Sequence, residues 1–191
     1  MKTFLEIGTC DFDTNLPFIN SGNWKGIMVE PSPPFFDSLK SLAHNSKYYE
    51  NLILENCAIS DKNGQVDFAV SKQLDTWQRG ISSVLSETHE GTCLYNLGNN
   101  KDVSYDKVIK VPCMTLDSLL SKYSVSTIDY LKIDTEGHEL NILNGYSWKI
   151  LPTFLKVETK HIDSDKIKKL LERKNYRVYF EKEDLYAIFM G

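Results

Sequence analysis

The sequence predicts a single doubly wound α/β domain, with a mostly parallel sheet that ends in an antiparallel C-terminal hairpin. Three observations carry that expectation. Short apolar runs of strand length alternate with stretches whose apolar residues recur at helical spacing, the pattern of parallel strands joined by crossover helices. Several of the runs end in an acid, a glycine or a proline, as strands do when they deliver loops to one edge of a sheet. After the last amphipathic stretch, two extended segments flank a tight polar turn. With 191 residues, 41% of them hydrophobic and 25% charged, the chain has enough apolar surface for one core.

In order, residues 3–8 (TFLEIG) form a first strand, followed by a polar turn and a weak helix over 14–20. Residues 25–30 (KGIMVE) form a second strand, stopped by Pro31, Pro33 and Pro34, after which Phe35, Leu39 and Leu42 recur at helical spacing. A third strand lies within 52–60, and Asp61 to Gly64 read as a turn. Residues 65–71 alternate as a strand does. The segment 72–107 is polar, carries Gly80, Gly91 and Gly98, and has little periodicity; it is expected to be a lid or acceptor-binding insertion over the site. Residues 108–114 are extended, and 116–123 are a short helix capped by Thr115 or Asp117. The clearest strand is 128–134 (IDYLKID), followed by a helix over 138–144 that stops at Gly145. A strand over 154–159, a helix to 174 capped by Asp163 or Ser164, and a hairpin of 176–181 with 185–189 complete the chain. No internal repeat or low-complexity tract divides it, so one domain over 1–191 is expected.

The net charge is −4, and the basic residues are dispersed except for Lys166, Lys168, Lys169, Arg173 and Lys174, which share one amphipathic helix, read as a solvated face in preference to an anion-binding patch. A nucleic acid partner would call for a broad basic footprint and is disfavoured. Cys10, Cys57, Cys93 and Cys113 form no C-x-x-C pair, which disfavours zinc and a disulfide framework; Cys57 and Cys113, inside apolar runs, are expected to be buried thiols. No signal-peptide pattern opens the sequence, and no apolar run approaches the ~18–20 residues of a membrane span. A cytoplasmic protein without a membrane partner is expected.

In an open parallel sheet, ligands bind beyond the carboxyl ends of the strands. After the first strand, Gly8 permits a tight turn, and Glu6 suits a cationic amino group; an ordinary strand-to-helix turn would look the same. Glu30-Pro31 follows the second strand, where a carboxylate can accept hydrogen bonds from a ribose diol or simply end a strand. Cys57-Ala58-Ile59-Ser60 offers either a small patch for an adenine ring or the end of a core strand. The strongest local signal is Asp134-Thr135-Glu136-Gly137-His138-Glu139. So many polar groups at the mouth of a buried strand are costly unless they meet a ligand or one another. Helix capping by Asp134 or Thr135 explains only part of the cluster. His161, past the next strand, points toward the same edge or is structural.

The run Tyr130-Leu-Lys-Ile-Asp134-Thr-Glu136-Gly137-His-Glu139-Leu-Asn-Ile-Leu143-Asn-Gly145 resembles the signature of the FkbM family of S-adenosylmethionine-dependent methyltransferases. Glu30-Pro31, Cys57 to Asp61 with Gly64, Ile81 to Leu85, and Val111 to Asp117 resemble its accompanying segments, so the likeness covers about residues 4–159. The resemblance implies a Rossmann-like methyltransferase fold that binds S-adenosylmethionine and methylates a hydroxyl on a carbohydrate or other small polar acceptor. It implies that Glu6 and Gly8 face the methionine part, that Glu30 with Pro31 meets the ribose, and that Ala58 and Ile59 border the adenine. Asp134, Glu136 and His138 would stand near the methyl group and the acceptor, with His138 the first choice of base and Asp134 the next. No metal is assigned, because Asp134 and Glu136 alone do not define a ligand set.

One departure is Phe12, which stands where the family has a second glycine four residues after the first; it narrows the expected carboxylate pocket, beside the negative charges of Asp11 and Asp13. Trp77, Tyr95 and Tyr105 are available to stack on a sugar or to anchor the insertion. Two other readings remain. An NAD-dependent oxidoreductase would also use Glu30, but the chain lacks G-x-G-x-x-G after its first strand. A catalytically inactive methyltransferase-fold binding protein is favoured by Phe12 and opposed by Glu30, Asp134 and Glu136 occurring together.

Overall fold

The computed structural model describes residues 1–10, 15–71, 80, 82–85 and 105–191. The first half contains β1 (Lys2–Ile7), α1 (Leu16–Asn20), β2 (Trp24–Val29), α2 (Pro33–Ala43), β3 (Leu52–Glu55), β4 (Ala58–Ser60), β5 (Gly64–Ser71) and β6 (Ser83–Val84). The second contains β7 (Tyr105–Thr115), α3 (Leu116–Lys122), β8 (Tyr130–Ile133), α4 (Glu139–Gly145), β9 (Phe154–Glu158), α5 (Ser164–Arg173), β10 (Tyr176–Glu181) and β11 (Asp184–Phe189).

A seven-stranded sheet runs in the order β10-β11-β9-β8-β1-β2-β3. Every pairing is parallel except those of β11, which is antiparallel to both β9 and β10. The chain steps outward from β1 to β3 and then returns to the other side of β1 as β8, so strand order reverses between β1 and β8. That reversal is where an open α/β sheet presents a ligand crevice.

The period of two in β1 explains why both faces are covered. Leu5 and Ile7 join Ile27, Val29, Leu131 and Ile133 in a layer packed by Leu116 and Leu119 of α3, Ile142 of α4 and Ile167 of α5. Phe4, one residue out of phase, joins Met28 in the opposite layer, against Leu16 and Ile19 of α1 and Leu39 and Ala43 of α2. In α2 the inward row is Phe35, Leu39 and Ala43, whereas Leu42, expected in that row, is 44% exposed. Spacing by four keeps residues on one helix face, and Leu42 falls beside it. Thr115 caps α3 by accepting from the amide of Ser118, and Asp163 caps α5 by accepting from those of Asp165 and Lys166.

A second, four-stranded sheet, β4-β7-β5-β6, is an addition to the single sheet expected. Residues 52–60 split between the two sheets. β3 ends in the main sheet, Asn56 Nδ2 donates to the carbonyl of Glu30 at 2.8 Å, and Ala58 to Ser60 pair in parallel with Cys113 to Thr115. Val66, Phe68, Val70, Val84, Val111 and Cys113 give this sheet a core of its own. Of the expected insertion over 72–107, β6 and the start of β7 are described. Trp77, Tyr95 and most of the rest lie outside the described residues, as do Asp11, Phe12 and Asp13. The expected helix over 14–20 is described from Leu16.

Candidate active site

The ends of β1, β2 and β8 are stitched together by their backbones. The amides of Gly8 and Thr9 both donate to the carbonyl of Val29, at 3.0 and 3.1 Å, and the amide of Asp134 donates to that of Ile7 at 3.0 Å. Gly8 has φ +80°, and a Cβ placed on it would lie 1.8 Å from the carbonyl oxygen of Asp134. Only glycine fits so close an approach in that conformation. The turn then brings the amide of Cys10 to Glu30, whose Oε2 accepts from it at 2.7 Å while Oε1 accepts from the amide of Ser32 at 2.7 Å. The Glu30 side chain is thereby fixed by two backbone amides, one on each oxygen.

A cavity opens over this point. Gly8, Glu30, Pro31, Ala58, Ile59 and Asp134 all line it. Phe68 of β5 and Val84 of β6 complete its apolar wall, so the second sheet closes the crevice of the first. Sequence reasoning gave neither residue a place in the site; the alternation of 65–71 and the resemblance of Ile81 to Leu85 were the signals, and neither says what those residues face. Beside the wall, burial pushes the Cys57 thiol up to about 12, leaving it protonated and unreactive as its apolar surroundings led one to expect.

Glu6 does not line the cavity. It is fully buried, and its Oε1 accepts from Lys132 Nζ at 2.9 Å; Lys132 Nζ also lies 3.5 Å from Asp134 Oδ2. Burial alone would lower the Lys132 pKa, but the carboxylates of Glu6 and Asp134 outweigh it and hold the ammonium above the ordinary lysine value. A buried charge thus links the middle of β1 to the mouth of β8.

The loop between β8 and α4 is organised by Glu139. Its Oε1 accepts from the Thr135 amide at 2.7 Å and the Thr135 hydroxyl at 2.9 Å, and its Oε2 accepts from the Gly137 amide at 3.1 Å. Burial nevertheless raises its carboxyl to about 7, against the lowering effect of those hydrogen bonds. Ser83 Oγ of β6 donates to the carbonyl of Glu136 at 3.1 Å, which fastens the loop to the second sheet.

The three residues expected near the methyl group diverge. Asp134 lines the cavity with Glu30. Glu136, in the left-handed region at φ 55°, reaches His161, with Oε2 to Nε2 at 3.1 Å, and the end of β9 places Glu158 beside them. His138 is buried; its Nε2 is 3.0 Å from Ser60 Oγ, and it lines a separate cavity with Asp61, Gln65, Lys110 and Asn141.

No helix among the described residues is long and apolar enough to cross a membrane. A curated relative, the DNA double-strand break repair nuclease NurA of Sulfurisphaera tokodaii, is 26% identical over 88% of this chain, and the chain spans 55% of that protein's length. Solved structures give weaker likenesses. TrmK of M. capricolum, in complex with S-adenosyl-homocysteine, is 10% identical, with a TM-score of 0.49 over 98% of this chain and 60% of its own. The precorrin-6y C5,15-methyltransferase of Geobacter metallireducens is 11% identical, with a TM-score of 0.48 over 98% and 78%. The methyltransferase FkbM domain model matches residues 6–178, and the chain belongs to that family of S-adenosylmethionine-dependent methyltransferases.

Proposed function

We propose that the protein transfers the methyl group of S-adenosylmethionine to a hydroxyl on a sugar or another small polar acceptor. The observation that carries this reading is the Glu30 carboxylate, held by two amides in a cavity whose other wall is apolar. The donor set fits the cofactor. The fixed Glu30 carboxylate, beside Pro31 at the cavity, suits a ribose diol, and the slot between Ala58, Ile59, Phe68 and Val84 suits a flat heteroaromatic ring. Gly8 leaves room for the methionine part. Glu6 acts there through Lys132, whose charge it balances, so beside Glu30 the second carboxylate lining the cavity is that of Asp134.

When bound, the cofactor supplies an electrophilic methyl group. The chain's own residues must orient the acceptor and accept its proton. Asp134, one-third exposed at the cavity, is placed to take a hydrogen bond from an acceptor hydroxyl and to align it. Such alignment offsets ~7–11 kcal/mol of barrier in favourable cases. A positioned base adds roughly 10²–10⁴-fold. Glu136, on the same loop, is held by His161. His138 is a positioning residue in this reading, since its Nε2 is engaged with Ser60 in the neighbouring cavity.

The test is label transfer from methyl-tritiated cofactor to a panel of sugars, nucleotide sugars and simple polyols, with amines and catechols alongside. Label on a hydroxyl of a carbohydrate or polyol, lost in Asp134→Asn, is the expected result. Transfer confined to nitrogen, or unchanged in Asp134→Asn, would refute the acceptor class or the role of that carboxylate respectively.

A further inference from the structure

At the carboxyl ends of β8 and β9, beside the proposed cofactor cavity, Glu136, Glu158 and His161 converge. One ligand-type atom from each lies within 4.8 Å of the others. Two features distinguish this cluster from an ordinary acidic surface. Its donors are mixed, one imidazole nitrogen and two carboxylates. And Glu158 Oε2 is buried with no hydrogen-bond partner among the described residues; of the lysines, Lys132 pairs with Glu6 and Asp134, and exposed Lys160 lies 3.6 Å from Glu183 without donating to that oxygen. A buried carboxylate oxygen without a donor is costly and calls for an explanation such as an ion.

We propose that Glu136, Glu158 and His161 form a binding site for a divalent transition-type cation, of the manganese or zinc class. Metal–ligand distances of ~2.0–2.2 Å place neighbouring donors of a four-coordinate shell roughly 3.3 Å apart. The Glu136 Oε2 to His161 Nε2 separation is already 3.1 Å, so closing the shell requires mainly a movement of the Glu158 carboxylate. An imidazole with two carboxylates suits manganese or zinc better than magnesium, which prefers an all-oxygen shell with several waters. Three protein ligands leave a position open, the pattern of catalytic rather than structural sites. The open position takes the oxygen of the acceptor and lowers the pKa of its hydroxyl, next to Asp134. That last role rests on the proposed methyl transfer; binding of the ion does not.

The experiment is titration of chelator-stripped full-length protein with MnCl₂, followed by electron paramagnetic resonance of free Mn²⁺ and by calorimetry, with ZnCl₂ run in parallel. Wild type, Glu158→Gln and His161→Ala are compared, each with its far-UV circular dichroism and its S-adenosyl-homocysteine affinity. The expected result is about one site per chain, weakened at least about tenfold in both variants, with fold and S-adenosyl-homocysteine binding retained. Absence of saturable binding of either ion to wild type, or equal binding within about twofold in a folded variant, overturns the site. Should Glu158→Gln fail to fold, His161→Ala decides alone. Loss of S-adenosyl-homocysteine binding by wild type would count against methyl transfer and leave the manganese result to be judged separately.

Discussion

Gly8→Ala is the most sharply defined perturbation of the site, because its cost follows from two distances. An added Cβ would meet the Asp134 carbonyl oxygen at 1.8 Å, whereas ordinary contact begins at 3.4 Å, so the gap must open by roughly 1.6 Å. Asp134 is tied to β1 by its 3.0 Å bond to Ile7, and Gly8 is tied to β2 by its 3.0 Å bond to Val29, so such an opening breaks at least one of them. Each lost backbone bond costs about 1 kcal/mol. Holding alanine at φ +80° adds about 1–2 kcal/mol. The expected loss of stability is therefore about 2–4 kcal/mol, within the range for backbone strain at a buried turn. Urea unfolding followed by circular dichroism measures it, and calorimetry with S-adenosyl-homocysteine should show affinity reduced at least about tenfold, since the turn frames the cavity. A variant within about 0.5 kcal/mol of wild type that binds normally would refute the described junction of β1 with β8.

Three further outcomes are expected. Glu139 holds its proton more tightly in the fold (about 7) than in the unfolded chain (4.5), so its contribution to stability is full below 4.5 and is lost as pH rises toward 7. Thermal midpoints measured from pH 4.5 to 8 should therefore fall less steeply in Glu139→Gln than in wild type, and identical slopes would contradict the assignment. Lys132→Met removes the ammonium from fully buried Glu6 and should cost about 3–5 kcal/mol in urea unfolding. Adding Glu6→Gln should recover much of that loss, whereas strict additivity would show that the two residues are not coupled. His138→Ala, which loses the hydrogen bond to Ser60, should cost about 1–3 kcal/mol while S-adenosyl-homocysteine affinity stays within about twofold; a larger loss of affinity would contradict its placement away from the cofactor cavity.

Local periodicity carried much of the fold. The strand expected at 3–8 is Lys2–Ile7, that at 25–30 is Trp24–Val29, and the closing hairpin lies within a residue of its expected bounds. What escaped depends on pairing between distant segments. Nothing local to Ala58 to Ser60 indicates that they leave the main sheet to pair with Cys113 to Thr115, since the partner is more than fifty residues away. The same limit hid Phe68, which read as an ordinary strand residue, and Val84, which fell within the expected insertion; both become cavity wall only when the two sheets meet. At the site, Gly8, Glu30 and Asp134 were legible because a strand's end fixes where its last residues point. His138 and Glu136 were not separable by spacing: with Glu136 in the left-handed region, Glu136 meets His161 while His138 meets Ser60. Glu158 fell within the expected strand over 154–159 and was not singled out, although its closeness in sequence to His161 puts the two in one neighbourhood.

The central claim, that the Glu30 cavity holds S-adenosylmethionine, is tested most directly by calorimetric titration of S-adenosyl-homocysteine into wild type and Glu30→Ala, with NAD⁺ as the comparison ligand. The account predicts micromolar binding to wild type, a loss of at least about tenfold in a folded Glu30→Ala, and no binding of NAD⁺. Absence of S-adenosyl-homocysteine binding to folded wild type, or binding indifferent to Glu30, would contradict it.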